Sequence, residues 1–148
     1  LSGFIFLKKS SDSTYRILFS NQIGMKFFDF EIGENQFTVH YCFPSLDKKA
    51  LLKLLRTDFQ VLLFPFSGIK EIEPVDATID STDFKIKSIR GKWNYRIINS
   101  TGRIIRMDSK GKIVGKTRIG VGYQADIPNR MEILNPTIRL SLKMELIN

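Results

Sequence analysis

Few side chains in this sequence can do chemistry. Its one histidine and one cysteine, His40 and Cys42, stand two residues apart in "QFTVHYCF". A cysteine nucleophile needs an imidazole within hydrogen-bond reach, usually with a third group to orient it. Same-face neighbours on a strand lie about 6.5–7 Å apart, so the two make no dyad. Cys42 reads instead as a small apolar group in a strand. A zinc site would have to borrow carboxylates from elsewhere, with no ligand spacing to support it. Asp76, Asp80 and Asp83 in "DATIDSTDF" miss the alternate spacing and the glycine of a calcium loop, and read as a solvated acidic loop. "GVG" (residues 120–122) has no helix opening after it and so cannot cradle phosphate; a bulge or tight bend explains it better. No catalytic residue, metal or cofactor is assigned, and a non-enzymatic protein is expected.

The charge is more informative. The net +8 is concentrated in residues 85–118, where eleven cations face a single acid, Asp108. In "FKIKSIR", Lys85 and Lys87 alternate with Phe84 and Ile86; in "KIVGKTRIG", Lys112, Lys116 and Arg118 share one parity. These five cations therefore face outward from neighbouring strands as a basic surface on the convex side of a sheet. Such a patch suits solvation, an anionic membrane surface or an acidic protein. Nucleic acid is a poorer match, because base stacking needs exposed aromatics. Only Trp93 and Tyr95 are candidates, and they share a face with Ile97, which points inward.

The elements that must carry these residues are mostly strands. "GFIFLKK", "TYRILFS", "MKFFDFEI" and "QFTVHYCF" are separated by the polar turns "SSDS", "NQIG" and "GEN", the pattern of an antiparallel meander. In the fourth, Phe37, Val39, Tyr41 and Phe43 take one face, and Thr38, His40 and Cys42 the other. After the helix described below, "IKEIEPVDATIDSTD" reads as an acidic connection. Strands resume with "FKIKSIR", "KWNYRIIN", "RIIRMD", "KIVGKTRIGVGYQ" and "RMEIL". The last run, "TIRLSLKMELI", alternates strictly, with Ile138, Leu140, Leu142, Met144 and Leu146 on one face.

One helix interrupts them, in "SLDKKALLKLLRTDFQVLLF" (residues 45–64). Ser45 suits its N-cap and Asp47 its positive end; Pro65 and Gly68 end it. Its charged stripe is narrow, Lys49, Lys53, Arg56 and Gln60, and apolar residues fill most of the circle, as in a helix buried on several sides. The 148 residues, 43% hydrophobic and 11% aromatic, fit one domain, 1–148, with a real core, and exclude disorder. No apolar run reaches the length of a membrane span. Beginning at Leu1 without Met, the chain reads as a processed or trimmed form. The expected fold is mainly β with one long helix (α+β): a curved, unclosed antiparallel barrel of about ten strands, with the helix in its concave side.

The order "SGFIFLKK", "YRILFSNQIGMKFFDFEI", "LDKKALLKLLR" resembles the LolA/LolB-like lipoprotein carrier superfamily, nearest to Bacteroidota outer-membrane lipoproteins. The ending "IPNRMEILNPTIRLSLKMELIN" resembles the family's close. "NQIG" lacks the proline usual in its turn. The resemblance implies an unclosed barrel whose apolar cavity accepts acyl chains without covalent chemistry. It also implies a periplasm-facing domain, anchored to the outer membrane by an N-terminal lipid; a monomer is expected. Candidate ligand-binding residues of that cavity are Tyr15, Ile17, Phe19, Phe28, Phe30, Leu51, Leu54, Leu55, Trp93, Leu140 and Leu142. The expected function is binding of a lipid or lipoprotein acyl chain; the alternative is an interaction or scaffold domain docking an acidic partner or membrane surface through its basic face.

Overall fold

Apolar residues recurring every second position, cut by short polar turns, favour hairpins between successive strands, and the chain folds accordingly. A computed structural model describes residues 3–109, 116–125 and 127–145. These form eleven strands and one helix, divided between two compact units, Leu1–Pro65 and Phe66–Asn148. The fold is mainly β, with two antiparallel sheets of four and seven strands, neither of them closed. The expected single barrel of about ten strands is corrected accordingly.

In the first unit β1 (Phe4–Lys9), β2 (Thr14–Ser20), β3 (Lys26–Gly33) and β4 (Phe37–Cys42) pair in chain order. Their register builds two apolar rows on one face, Ile5–Phe19–Phe28–Cys42 and Leu7–Ile17–Phe30–Val39. The helix α1 (Lys49–Leu63) packs against β3 of this sheet. Phe28 stacks on Phe30 at 4.4 Å between ring centroids and meets the edge of Phe59 at 6.2 Å. Ile17, Phe30 and Ile32 are wholly buried.

A bulge in β4 alters the expected faces. Asp29 pairs with Tyr41 and Phe30 with Val39, so His40 is the extra residue. One added residue reverses the alternation beyond it. Cys42 therefore joins Phe28 on the apolar face, while Tyr41 turns to the polar one. His40 also points to the polar face, its Nε2 lying 3.0 Å from Glu31 Oε2. His40 and Cys42 thus lie on opposite faces.

The helix starts later than expected. Leu46 N–H donates to Phe43 C=O at 2.8 Å, so Pro44 and Ser45 form a turn, and extended Lys48 takes the N-cap position without a side-chain cap. Ser45 is not the cap. In the C-terminal half Asp58, Phe59, Gln60, Val61 and Leu62 are all buried. Five successive residues at about 100° each cover the full circle, so this half is buried on more sides than the expected charged stripe allowed, while Lys49, Lys53 and Arg56 of the first half stay exposed. Gln60, expected on the wet stripe, instead donates from Nε2 to Gly33 C=O at 2.9 Å and Glu34 C=O at 3.1 Å. It ties the helix to the β3–β4 turn.

The second unit is a meander of β5 (Ile69–Ala77), β6 (Ser81–Ser88), β7 (Gly91–Ile98), β8 (Ile104–Ser109), β9 (Arg118–Gln124), β10 (Ile127–Asn135) and β11 (Leu140–Glu145), with β5 and β11 at its edges. One row of partners crosses every strand: Pro74, Phe84, Tyr95, Met107, Ile119, Ile133 and Leu142. From Tyr95 to Leu142 every member is buried.

Three sequence expectations change in this unit. The presumed connection is largely strand β5, exposed along its length, with Pro74 tolerated because it is an edge strand. Gly120 and Gly122 are regular β9 positions, and the neighbouring irregularity lies on β10 between Pro128 and Arg130. The final strand begins only at Leu140. Residues 136–139 form a turn that takes Ile138 out of the alternating face, and Leu146 lies outside the described residues. Gly68 does supply the expected turn: its φ of +67° and the Ile89 side chain 2.5 Å from an ideal Cβ both require glycine.

Gln60→Ala should lower stability by about 1–3 kcal/mol, since it leaves two carbonyls without their donor. Leu55→Ala should cost about 2–5 kcal/mol, whereas exposed Lys49→Ala should stay within about 0.5 kcal/mol. Urea unfolding of the three variants checks this order.

Candidate functional site

Opposite the apolar row, the seven-stranded sheet presents charge. One register row reads Glu73, Lys85, Asn94, Asp108, Arg118, Leu134 and Ser141; the next carries Asp83, Arg96, Arg106, Glu132 and Lys143. Lys85, Lys87, Lys116 and Arg118 are exposed, as their parity required, and Lys112 lies outside the described residues.

Much of the basic excess meets acid across strands. Arg96 donates from Nε and Nη2 to the two Asp83 carboxylate oxygens at 2.7 and 2.8 Å. That guanidinium holds the Asp83 carboxyl below the usual carboxylate range, against the opposing effect of burial. Lys87 Nζ donates to Glu71 at 2.9 Å. Asp108 accepts from both Arg106 Nε and Arg118 Nε. Counted along the chain, residues 85–118 are almost purely basic; in space, β5 and the start of β6 supply acids from outside that segment.

At the end of the sheet carrying the β10–β11 turn, the charged surface forms a cavity of about 690 Å³. Among the described residues its charged lining is Arg106, Lys116, Arg118 and Arg139 against the single carboxylate of Asp108, with Leu134, Pro136 and Leu140 as apolar wall. Asn135, fully buried, builds the corner: Nδ2 donates to Thr117 Oγ1 at 3.0 Å, and Oδ1 accepts from the Thr137 and Ile138 amides at 3.1 and 3.3 Å. A second cavity of about 420 Å³, lined by Glu71, Glu73, Lys85, Lys87, Lys92 and Trp93 among others, mixes both signs of charge.

The apolar candidates fall in both units. Tyr15, Ile17, Phe19, Phe28, Phe30, Leu51, Leu54 and Leu55 belong to the first, where all but Tyr15 and Leu51 are buried. Trp93 and Leu142 are buried in the second, and Leu140 is half-buried. Neither cavity is lined by any of the first eight; Leu140 lines the larger and Trp93 the smaller.

Arg106, Asn135 and Arg139 were not singled out from sequence, and Asp108 was noted only as the lone acid of residues 85–118. The Cys42 thiol is pushed up by burial and by the nearby Asp47 carboxylate, which makes it a weak nucleophile. Among the described residues no three His, Cys, Asp or Glu side chains cluster as a metal site requires, and no helix is long and apolar enough to cross a membrane.

Comparison with known proteins finds no matching family model, no matching curated protein and no matching solved structure. The LolA/LolB resemblance rests on the sequence segments alone.

Burial pushes the Tyr95 phenol up to about 12, above the ordinary value near 10. The neutral form is favoured in the folded state. Its stabilising contribution is therefore complete below about pH 10 and lost as pH rises toward 12. Titration by phenolate absorbance should show one of the four tyrosines ionising last, and Tyr95→Phe should remove that step and soften alkaline unfolding. Wild-type and variant proteins titrating alike would contradict this.

Proposed function

We propose that the chain is a non-enzymatic binding domain for a lipid or acyl chain, lodged on the apolar face of the four-stranded sheet beside α1. In the LolA/LolB-like reading, that places it on the periplasmic side of the outer membrane. One observation carries the reading. The helix packs on β3 at the middle of the sheet, while Leu7 on β1 and Val39 on β4 remain 37% and 40% exposed. Both pair in register with fully buried residues, Leu7 with Ile17 and Val39 with Phe30. The apolar rows thus continue past the helix-covered centre. An alkyl chain laid there would gain about 0.8 kcal/mol per buried methylene.

Solvent extraction of purified protein followed by mass spectrometry should recover lipid, and the stripped protein should take up a fluorescent fatty acid. Leu7→Lys and Val39→Lys, both at exposed positions, should weaken that uptake. Absence of lipid together with absence of uptake would sink the reading.

The charged face of the seven-stranded sheet supports a second reading, docking of an acidic partner or anionic membrane surface. Lys85 and Lys116 are exposed and have no ion-pair partner among the described residues. Trp93 and Tyr95 are each only 3% exposed, so they offer nothing for bases to stack on. Reversing the charge at Lys85 and Lys116 should weaken such an association; binding that survives reversal leaves these cations a solvation role.

A further inference from the structure

The larger cavity differs from the rest of the charged face. Elsewhere Arg96, Lys87 and Lys143 each meet a carboxylate across strands, and Lys85, without an ion-pair partner among the described residues, lies in register with Glu73. Here, among the described residues, four cations, Arg106, Lys116, Arg118 and Arg139, share one acid, Asp108. Each Asp108 carboxylate oxygen already accepts from one guanidinium Nε, Oδ2 from Arg106 and Oδ1 from Arg118. Lys116 and Arg139 have no carboxylate partner among the described residues. A surplus of three positive charges over one concavity favours a multiply charged anion.

The corner is also built at a conformational cost. Arg139 has φ +53°, a left-handed conformation that arginine adopts uphill. It is held there by buried Asn135, which fixes the turn through two backbone amides and bolts it to Thr117 before β9. Strained residues persist where the surroundings over-determine them. The strain here places a cation at the cavity, opposite those of β8 and β9.

We propose that this cavity is a phosphoryl-binding site. Guanidinium forks match the oxygens of a phosphate, a dianion near neutral pH answers the surplus charge, and Lys116 adds a mobile point charge. About 690 Å³ is within the range of small-molecule sites. Leu134 is the apolar residue in an otherwise polar register row, and with Leu140 it gives the same cavity an apolar wall. The phosphoryl group can thus come from free phosphate or from the head of an amphiphile whose chain lies on that wall. The site lies in the other unit than the sheet face proposed for the acyl chain, shares with the acyl-chain candidates only Leu140, and does not depend on that reading.

The test is titration of the full chain with inorganic phosphate and, separately, with dodecyl phosphate below its micelle concentration, followed by amide NMR shifts. Saturable shifts should map to Arg106, Lys116, Arg118, Asn135 and Arg139. Binding should fall about tenfold in Arg139→Gly and in Lys116→Gln, and remain unchanged in Lys8→Gln on the other unit. Glycine accepts the positive φ without strain, so Arg139→Gly should fold at least as well as the parent. Dodecyl phosphate binding about tenfold tighter than phosphate would assign the group to an amphiphile; equal affinities would assign it to a soluble phosphate, and both support the site. Absence of saturable binding by either probe, or binding indifferent to both Arg139→Gly and Lys116→Gln, overturns it.

Discussion

A shift of one residue in any strand of the seven-stranded sheet would exchange its two faces. Tyr95, Met107, Ile119, Ile133 and Leu142 would turn to water, and Asn94, Asp108, Arg118, Leu134 and Ser141 would turn inward. Burying Asp108 and Arg118 would cost far more than any local gain from the slip. The apolar row therefore holds the register, and the register aligns everything on the opposite face. Arg96 meets Asp83 and Asp108 meets Arg118 because the core residues beside them are in line. The cavity at the sheet end is a consequence of the same alignment.

Where regular pleating stops, buried amides join the elements. Gln60 links α1 to the β3–β4 turn, and Asn135 links the β10–β11 turn to Thr117. Hydrogen bonds of this kind contribute modestly when made and cost more when one partner is lost. They confer little affinity between elements, but they select which loop geometry accompanies the packed sheet. In the first case the result is a fixed helix end; in the second it is a cation held at a cavity.

The two binding proposals rest on different physics. An acyl chain on the first unit would exploit apolar rows that run beyond the cover of α1, a non-directional attraction proportional to area. A phosphoryl group on the second unit would exploit charge left over after cross-strand pairing. Exposed ion pairs such as Lys87–Glu71 contribute little to stability, but they neutralise part of the face and leave the cavity with more cations than carboxylates among the described residues.

Alternation along single strands was enough to read the inward positions of β7 and β11, because the pleat is a property of neighbouring residues. The leucine-rich pattern of α1 likewise announced burial on several sides before any partner was known. Pairing was not legible in the same way. β5 has no apolar alternation and contains Pro74, so only its ladder with β6 reveals a strand. The extra residue at His40 appears only against β3, and it sends Cys42 and Tyr41 to faces opposite to those their spacing implied. Gln60 looks like part of a wet stripe until Gly33 and Glu34 stand beside it. The basic run at residues 85–118 hides its neutralisation because Glu71 and Asp83 precede it in the chain. Local periodicity thus carried the strand and helix types and their buried faces. Register, bulges and charge pairing depend on residues often more than ten positions apart, and so were decided only when the strands lay side by side.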